Sequence, residues 1–117
     1  MSHDAPHRGI HGAPSAAAAL LLAAAALAGC GHARRGDEIA DGRRIFVTAG
    51  CGSCHTAASA RTHGTVGPNF DTSEALSRDQ IRAQLDQGEG GMPSFRHRLT
   101  AQQTQALTEF VYRAMRR

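Results

Sequence analysis

Residues 51–55 read Cys-Gly-Ser-Cys-His, and the fold turns on what these five residues hold. The two thiols stand three positions apart, about one helical turn, and the histidine follows the second thiol directly. Several chemistries use a cysteine pair at this spacing. A thioredoxin-like redox pair wants a βαβ context, and the flanking sequence shows none. A tetrahedral zinc site wants two further ligands at a related spacing, whereas the chain has 3 cysteines and no second pair. A disulfide between Cys51 and Cys54 would close a very tight loop, and the constraint on the unfolded chain grows with loop length. C-x-x-C-H is also the attachment signature of c-type haem. Two thiols reach the two vinyl groups of one porphyrin when they sit about a turn apart. His55, next to the second thiol, then offers its imidazole to the iron from the same face. Gly52 and Ser53 are small, which predicts a backbone running close to the ring edge.

On either side of the motif the apolar pattern is helical. Ile39, Gly42 and Phe46 fall at i, i+3 and i+7, which predicts a helix over 37–49. Asp37 is placed to cap it, and Glu38 suits its first turn. Gly42 costs such a helix about 1 kcal/mol relative to alanine, so its presence predicts close approach of another backbone. Downstream, Ser77 with Gln80 forms a capping-box pattern before a helix over 78–87. Ile81 and Leu85 give that helix a narrow apolar face, and Gly88 is its stop. Thr100 with Gln103 repeats the pattern before a helix over 101–116. There Leu107, Phe110, Val111 and Ala114 form the stripe, and Arg113, Arg116 and Arg117 crowd the end where the helix dipole favours cations. Three short helices joined by glycine- and proline-containing loops make a small core, and small scaffolds need a staple. A covalently held porphyrin would be one.

Composition bounds the rest. The chain has 117 residues, room for one domain at most. It contains a single long apolar run, which excludes a transmembrane bundle. Its 13 basic residues, all arginine, exceed 10 acidic ones for a formal net charge of +3. They form no stripe interleaved with aromatics, so nucleic acid is not an expected partner.

The apolar run, Ala16 to Ala28, is 13 residues long. As a helix it spans roughly 20 Å, against about 30 Å for a bilayer core. That length suits the h-region of a signal peptide, preceded here by a weakly positive segment. Leu27-Ala28-Gly29-Cys30 resembles the lipobox of bacterial lipoproteins. The resemblance implies a signal peptide over 1–29, a diacylglyceryl thioether on Cys30 and an extracytoplasmic, membrane-anchored protein. Several acyl chains anchor stably where one gives only marginal binding. Residues 30–36 then form a lipid-anchored, flexible spacer before a domain at 37–117. The three cysteines are thereby divided, one for lipid and two for haem.

Three segments together carry a further resemblance. Gly42-Arg43-Arg44-Ile45-Phe46 leads into the cysteine motif; Gly67-Pro68-Asn69-Phe70 and Gly91-Met92-Pro93-Ser94-Phe95 follow it. Over roughly 37–117 the chain resembles a class I monohaem cytochrome c of the small bacterial type. The resemblance implies an all-α fold, about three main helices wrapped around one haem c. It implies thioether anchors at Cys51 and Cys54, a proximal iron ligand at His55 and a distal one at Met92. Pro68 would accept the Nδ1 proton of His55, fixing the ring and raising its basicity. Gly42 and Phe46 would lie where the first helix crosses the last, with Phe110 opposite. Phe70 stands where leucine is commoner, at a haem-packing position.

Alternatives to Met92 are His63, His97 and Met115, or an open sixth position. Met115 has a packing role as its plain reading, and the two histidines have solvated surface. A methionine beside proline can also just fill a gap. Gly90 and Gly91, by allowing close approach to the ring, favour Met92. A His/Met-ligated haem implies a one-electron carrier rather than an enzyme, with redox proteins as partners. Two further classes stay open: a haem-c electron-input subunit of a larger dehydrogenase or oxidase, and a peroxidase-like or gas-binding protein.

Overall fold

The stripe Ile39, Gly42, Phe46 lies on helix α1, which covers residues 34–48 in the computed structural model. The structure describes residues 34–117. The expected signal peptide, Cys30 and the first part of the spacer lie outside the described residues. Residues 34–36 are already helical, so the flexible spacer does not extend to residue 36 and Asp37 is not a cap. Arg34 and Arg35 are good helix formers, and Gly36 meets no neighbour within 4 Å, so nothing stops the helix there.

Gly42 is where α1 meets the last helix. A Cβ on it would overlap the carbonyl oxygen of Ala106 and lie 2.7 Å from Phe110 Cβ. The backbones therefore cross at contact distance, as the misplaced glycine predicts. One turn on, Phe46 meets Phe110 with ring centroids 5.3 Å apart. Phe46 and Leu107 are almost wholly buried at this crossing.

Helix α2 (Arg78–Gln87) and helix α3 (Ala101–Ala114) begin with the reciprocal capping boxes read from sequence. Ser77 accepts from the Gln80 amide while the Gln80 side chain accepts from the Ser77 amide. Thr100 and Gln103 do the same. Gly88 ends α2 at φ 71°, and α3 ends two residues before the expected 116. Ile81 and Leu85 turn the narrow face of α2 into the core. On the outside, Arg78 donates from Nε and Nη2 to the two carboxylate oxygens of Glu109 on α3. The Arg78 and Arg116 guanidinium groups lie 3.6 and 3.5 Å from the Tyr112 ring centroid. Arg116 also donates to the Leu76 and Tyr112 carbonyls. Its role is thus a clasp between segments as well as a charge at a helix end.

Between α1 and α2 the chain makes one feature that periodicity does not predict. Strand β1 (Thr56–Ala57) pairs antiparallel with β2 (Thr62–His63). Arg61 turns the chain between them in the left-handed region, φ 55°. That place usually carries glycine or asparagine, which is why no turn is legible there. Two strands of two residues leave the all-α architecture unchanged.

Candidate functional site

The cysteine motif follows directly from the end of α1. Gly50, at φ 81°, breaks the helix and starts a 3-10 turn over Cys51–Ser53. The His55 amide closes it by donating to the Cys51 carbonyl at 2.9 Å. Both thiols are free and partly exposed. Burial pushes the Cys51 thiol pKa up; its own backbone hydrogen bond and Arg98 pull it down, and Cys54 adds a smaller upward push.

The return strand sits tightly on this turn. A Cβ on Gly52 would lie 2.9 Å from Thr62 Cβ, and one on Gly64 would lie 2.5 Å from the Cys54 carbonyl carbon. Thr62 Oγ1 donates to the His55 carbonyl at 3.0 Å, and Thr56 Oγ1 to the Gly64 carbonyl at 2.9 Å. Gly52 is therefore small because Thr62 packs over it, which sequence reasoning did not anticipate. Thr56, Thr62 and Gly64 were all missed; their contacts depend on the hairpin.

His55 is buried at the centre of this arrangement. Its Nδ1 lies 2.9 Å from the Pro68 carbonyl oxygen. A carbonyl only accepts, so Nδ1 carries a proton, and the neutral ring has its lone pair on Nε2. Gly67 presses on the ring: a Cβ there would be 2.5 Å from Cε1, 2.8 Å from Nδ1 and 3.0 Å from Nε2. The Phe70 ring stacks on the imidazole, centroids 4.6 Å apart and planes 17° from parallel.

Met92 lies on the loop from α2 to α3. Gly88 and Gly90 take φ 71° and 58°, and the Met92 amide donates to the Glu89 carbonyl at 2.9 Å. Gly90 thus meets a conformational need, and Gly91 has no protein neighbour within 4 Å. The loop is tied to the end of α2 by Phe95 N–H to the Leu85 carbonyl, 2.8 Å, and by the Ser94 hydroxyl to the Asp86 carbonyl. Met92 is half-buried against the core. His63 and His97 are exposed, on β2 and in a turn, and Met115 is buried within the core.

The donor set has a definite chemical character. Among the described residues, no group of three or more His, Cys, Asp or Glu could hold a bare metal ion. One free imidazole nitrogen, one thioether and two thiols suit a metal that brings its own in-plane ligands. Cys51, Phe70 and Met92 are partly covered apolar side chains at the margin of the core. A flat apolar macrocycle fits such a margin, and the residues present fit haem c.

Comparison with known proteins agrees. The chain is similar to the c-type cytochrome SorU from Sinorhizobium meliloti, a solved structure, at 32% identity and a TM-score of 0.61. The match covers 68% of this chain and 92% of that one. No curated protein matches. The family model described as "Cytochrome C oxidase, cbb3-type, subunit III" matches residues 37–111. A free Nε2 beside a paired-thiol turn, on this fold and under this family match, makes the chain a member of that family of c-type cytochrome domains.

Proposed function

We propose that the chain is a lipid-tethered one-electron carrier holding a single haem c. In this reading Cys51 and Cys54 form the thioethers, and His55 and Met92 ligate the iron. The observation that carries it is the Nδ1 bond of His55 to Pro68, which leaves one ring nitrogen available beside two free thiols. When bound, the haem supplies a one-electron iron couple. His55, oriented by Pro68 O, Gly67 and Phe70, retains one position through both oxidation states and keeps reorganisation small. The Met92 thioether favours ferrous iron and raises the potential. Were His55 and Met92 both to hold the iron, the protein would leave no place on it for a substrate. A haem packed against Phe70 and the margin of the core would lie partly in apolar surroundings, which disfavours the additional positive charge of the oxidised state.

The test is an optical spectrum of the purified protein, oxidised and reduced. A pyridine haemochrome of the two-thioether type and a long-wavelength sulfur–iron band in the ferric form are expected. A colourless protein from a host with a working maturation system would overturn the reading.

Anchoring at Cys30 at the outer face of a bacterial membrane is part of the same proposal, supported by the lipobox-like Leu27–Cys30. Metabolic labelling with palmitate should mark the wild type and not Cys30→Ser. The family description, which names an oxidase subunit, favours a second reading as an electron-input subunit of a larger complex. A stoichiometric partner retained in gentle detergent supports that reading; recovery alone supports the free carrier.

A further inference from the structure

We propose that Phe70 is a positioning residue that sets the plane of the His55 imidazole about its bond to the iron. The inference rests on His55 ligating haem, as proposed above, and adds a determinant of how it does so. A ring joined to a metal through Nε2 can still rotate about that bond. The Pro68 carbonyl, 2.9 Å from Nδ1, restrains the edge opposite the metal. A single hydrogen bond to an sp² oxygen tolerates a broad range of directions, so it fixes the tautomer better than the plane. Contacts over the ring supply what the edge does not. Backbone at Gly67 lies against three ring atoms, close enough that a Cβ would approach Cε1 to 2.5 Å. The Phe70 ring lies 17° from parallel at 4.6 Å, and flat surfaces in contact turn together.

Phe70 is itself held. Its amide donates to the Thr56 carbonyl at 2.9 Å, one residue beyond His55. Its ring meets Phe46 edge-on, 61° between planes and 6.0 Å between centroids. Phe46 is anchored against Phe110 at the crossing of α1 and α3. The orientation of the imidazole is thus referred, through two aromatic contacts, to the most buried part of the core. A leucine at position 70 would fill space there but present no plane.

The experiment uses the haem-loaded protein and reads the axial-ligand geometry directly. The order and spread of the haem-methyl shifts in the ferric proton NMR spectrum, and the g-values of the ferric EPR spectrum, depend on ligand-plane angles. Phe70→Leu should reorder or compress the methyl shifts and move the g-values while His55 remains bound. Phe70→Tyr, which keeps the plane, should match wild type. Ile81→Val trims the buried face of α2, outside the Phe46–Phe70–His55 contacts, and should lower the melting temperature with little change in the spectra. Identical methyl shifts in Phe70→Leu and wild type would overturn the inference, as would equal shifts in Phe70→Leu and Ile81→Val. Wild-type protein lacking haem, or keeping its low-spin spectrum in His55→Ala, would instead sink the ligation reading. The two failures are distinguishable.

Discussion

His55 is gripped by a carbonyl, a backbone and an aromatic ring from one short stretch, residues 67–70, whereas the loop that carries Met92 is tied to the last turn of α2 through the Phe95 amide and the Ser94 hydroxyl. The proximal grip is side-specific: each contact acts on the imidazole itself. The distal hold acts on the loop, and the Met92 side chain lies half-buried at its edge. The difference teaches where order resides. Residues 51–70 build a ligand position from their own packing. Residues 88–95, which carry the proposed second ligand, form a loop with two glycines at positive φ, and its hydrogen bonds hold the loop rather than the thioether. Both depend on α1 crossing α3, since α1 leads into the cysteine turn and α3 supports α2.

Breaking that common support should have the largest effect. Gly42→Val forces methyl groups into the Ala106 carbonyl and Phe110, at a contact between backbones that cannot yield cheaply. Overpacking of this kind costs about 3 kcal/mol or more, a large part of the stability of a small domain. Urea unfolding of the haem-loaded protein should show it, with both ligands lost in one transition. Gly36→Ala, in the same helix but with no neighbour within 4 Å, should stabilise by up to about 1 kcal/mol. Equal effects of the two variants would refute the crossing as the shared support.

The two ligand sides separate at the next level. Gly67→Ala places a Cβ against the imidazole, so the proximal ring must move or its loop must shift. A cost of about 2 kcal/mol is expected, with a reduced yield of covalently attached haem. Met92→Ala removes a partly exposed side chain from a loop. It should keep its haem and most of its stability, while the potential falls and carbon monoxide binds rapidly to the ferrous form. If Met92→Ala lost more stability than Gly67→Ala, the asymmetry between the sides would be inverted.

The helices and their crossing were legible because each left a local mark. Ser77 and Thr100 sit three residues before glutamines, and Gly42 stands where only a tertiary contact excuses it. The cysteine motif with His55 stood out as types and spacing, whereas Pro68 and Met92 entered through resemblance; of these the structure brings the Pro68 carbonyl onto His55 Nδ1. What escaped was contact between segments with no period of their own. Arg61 carries a left-handed turn without glycine, so the hairpin that seats Thr62 over Gly52 had no sign in the sequence. Phe70 was placed against a macrocycle by resemblance, and its stacking on His55 came only with the backbone that brings residue 70 back to Thr56. The start of α1 was misread because Asp37 is a good cap residue. A cap is recognisable only when the helix needs one there, and Arg34 and Arg35 carry it further.

The smallest expected effect tests the hold on the distal side from outside. Glu109 on α3 accepts from both Arg78 Nε and Nη2 on α2, the helix that carries the Met92 loop. That bond, above all, holds the Glu109 carboxyl below the usual glutamate range; burial opposes it, and charge from Arg78, Arg113 and Arg35 adds to it. A carboxylate with a lowered pKa in the folded state contributes stability above its unfolded value, near 4.5, and loses that contribution as pH falls through the folded value. Wild type should therefore melt above Glu109→Gln at pH 6–7, and the gap should close as pH drops well below 4.5. Because Arg78 is 44% exposed, solvent and salt screen the pair, and the gap should be a few degrees at most and shrink in high salt. The comparison of sides adds a sharper expectation. Glu109→Gln should speed displacement of Met92 by added imidazole or cyanide, yet leave the proximal spectroscopic signature of His55 unaltered. A change confined to the proximal signature would mean that α2 does not hold the distal loop in the way its hydrogen bonds to residues 94 and 95 require.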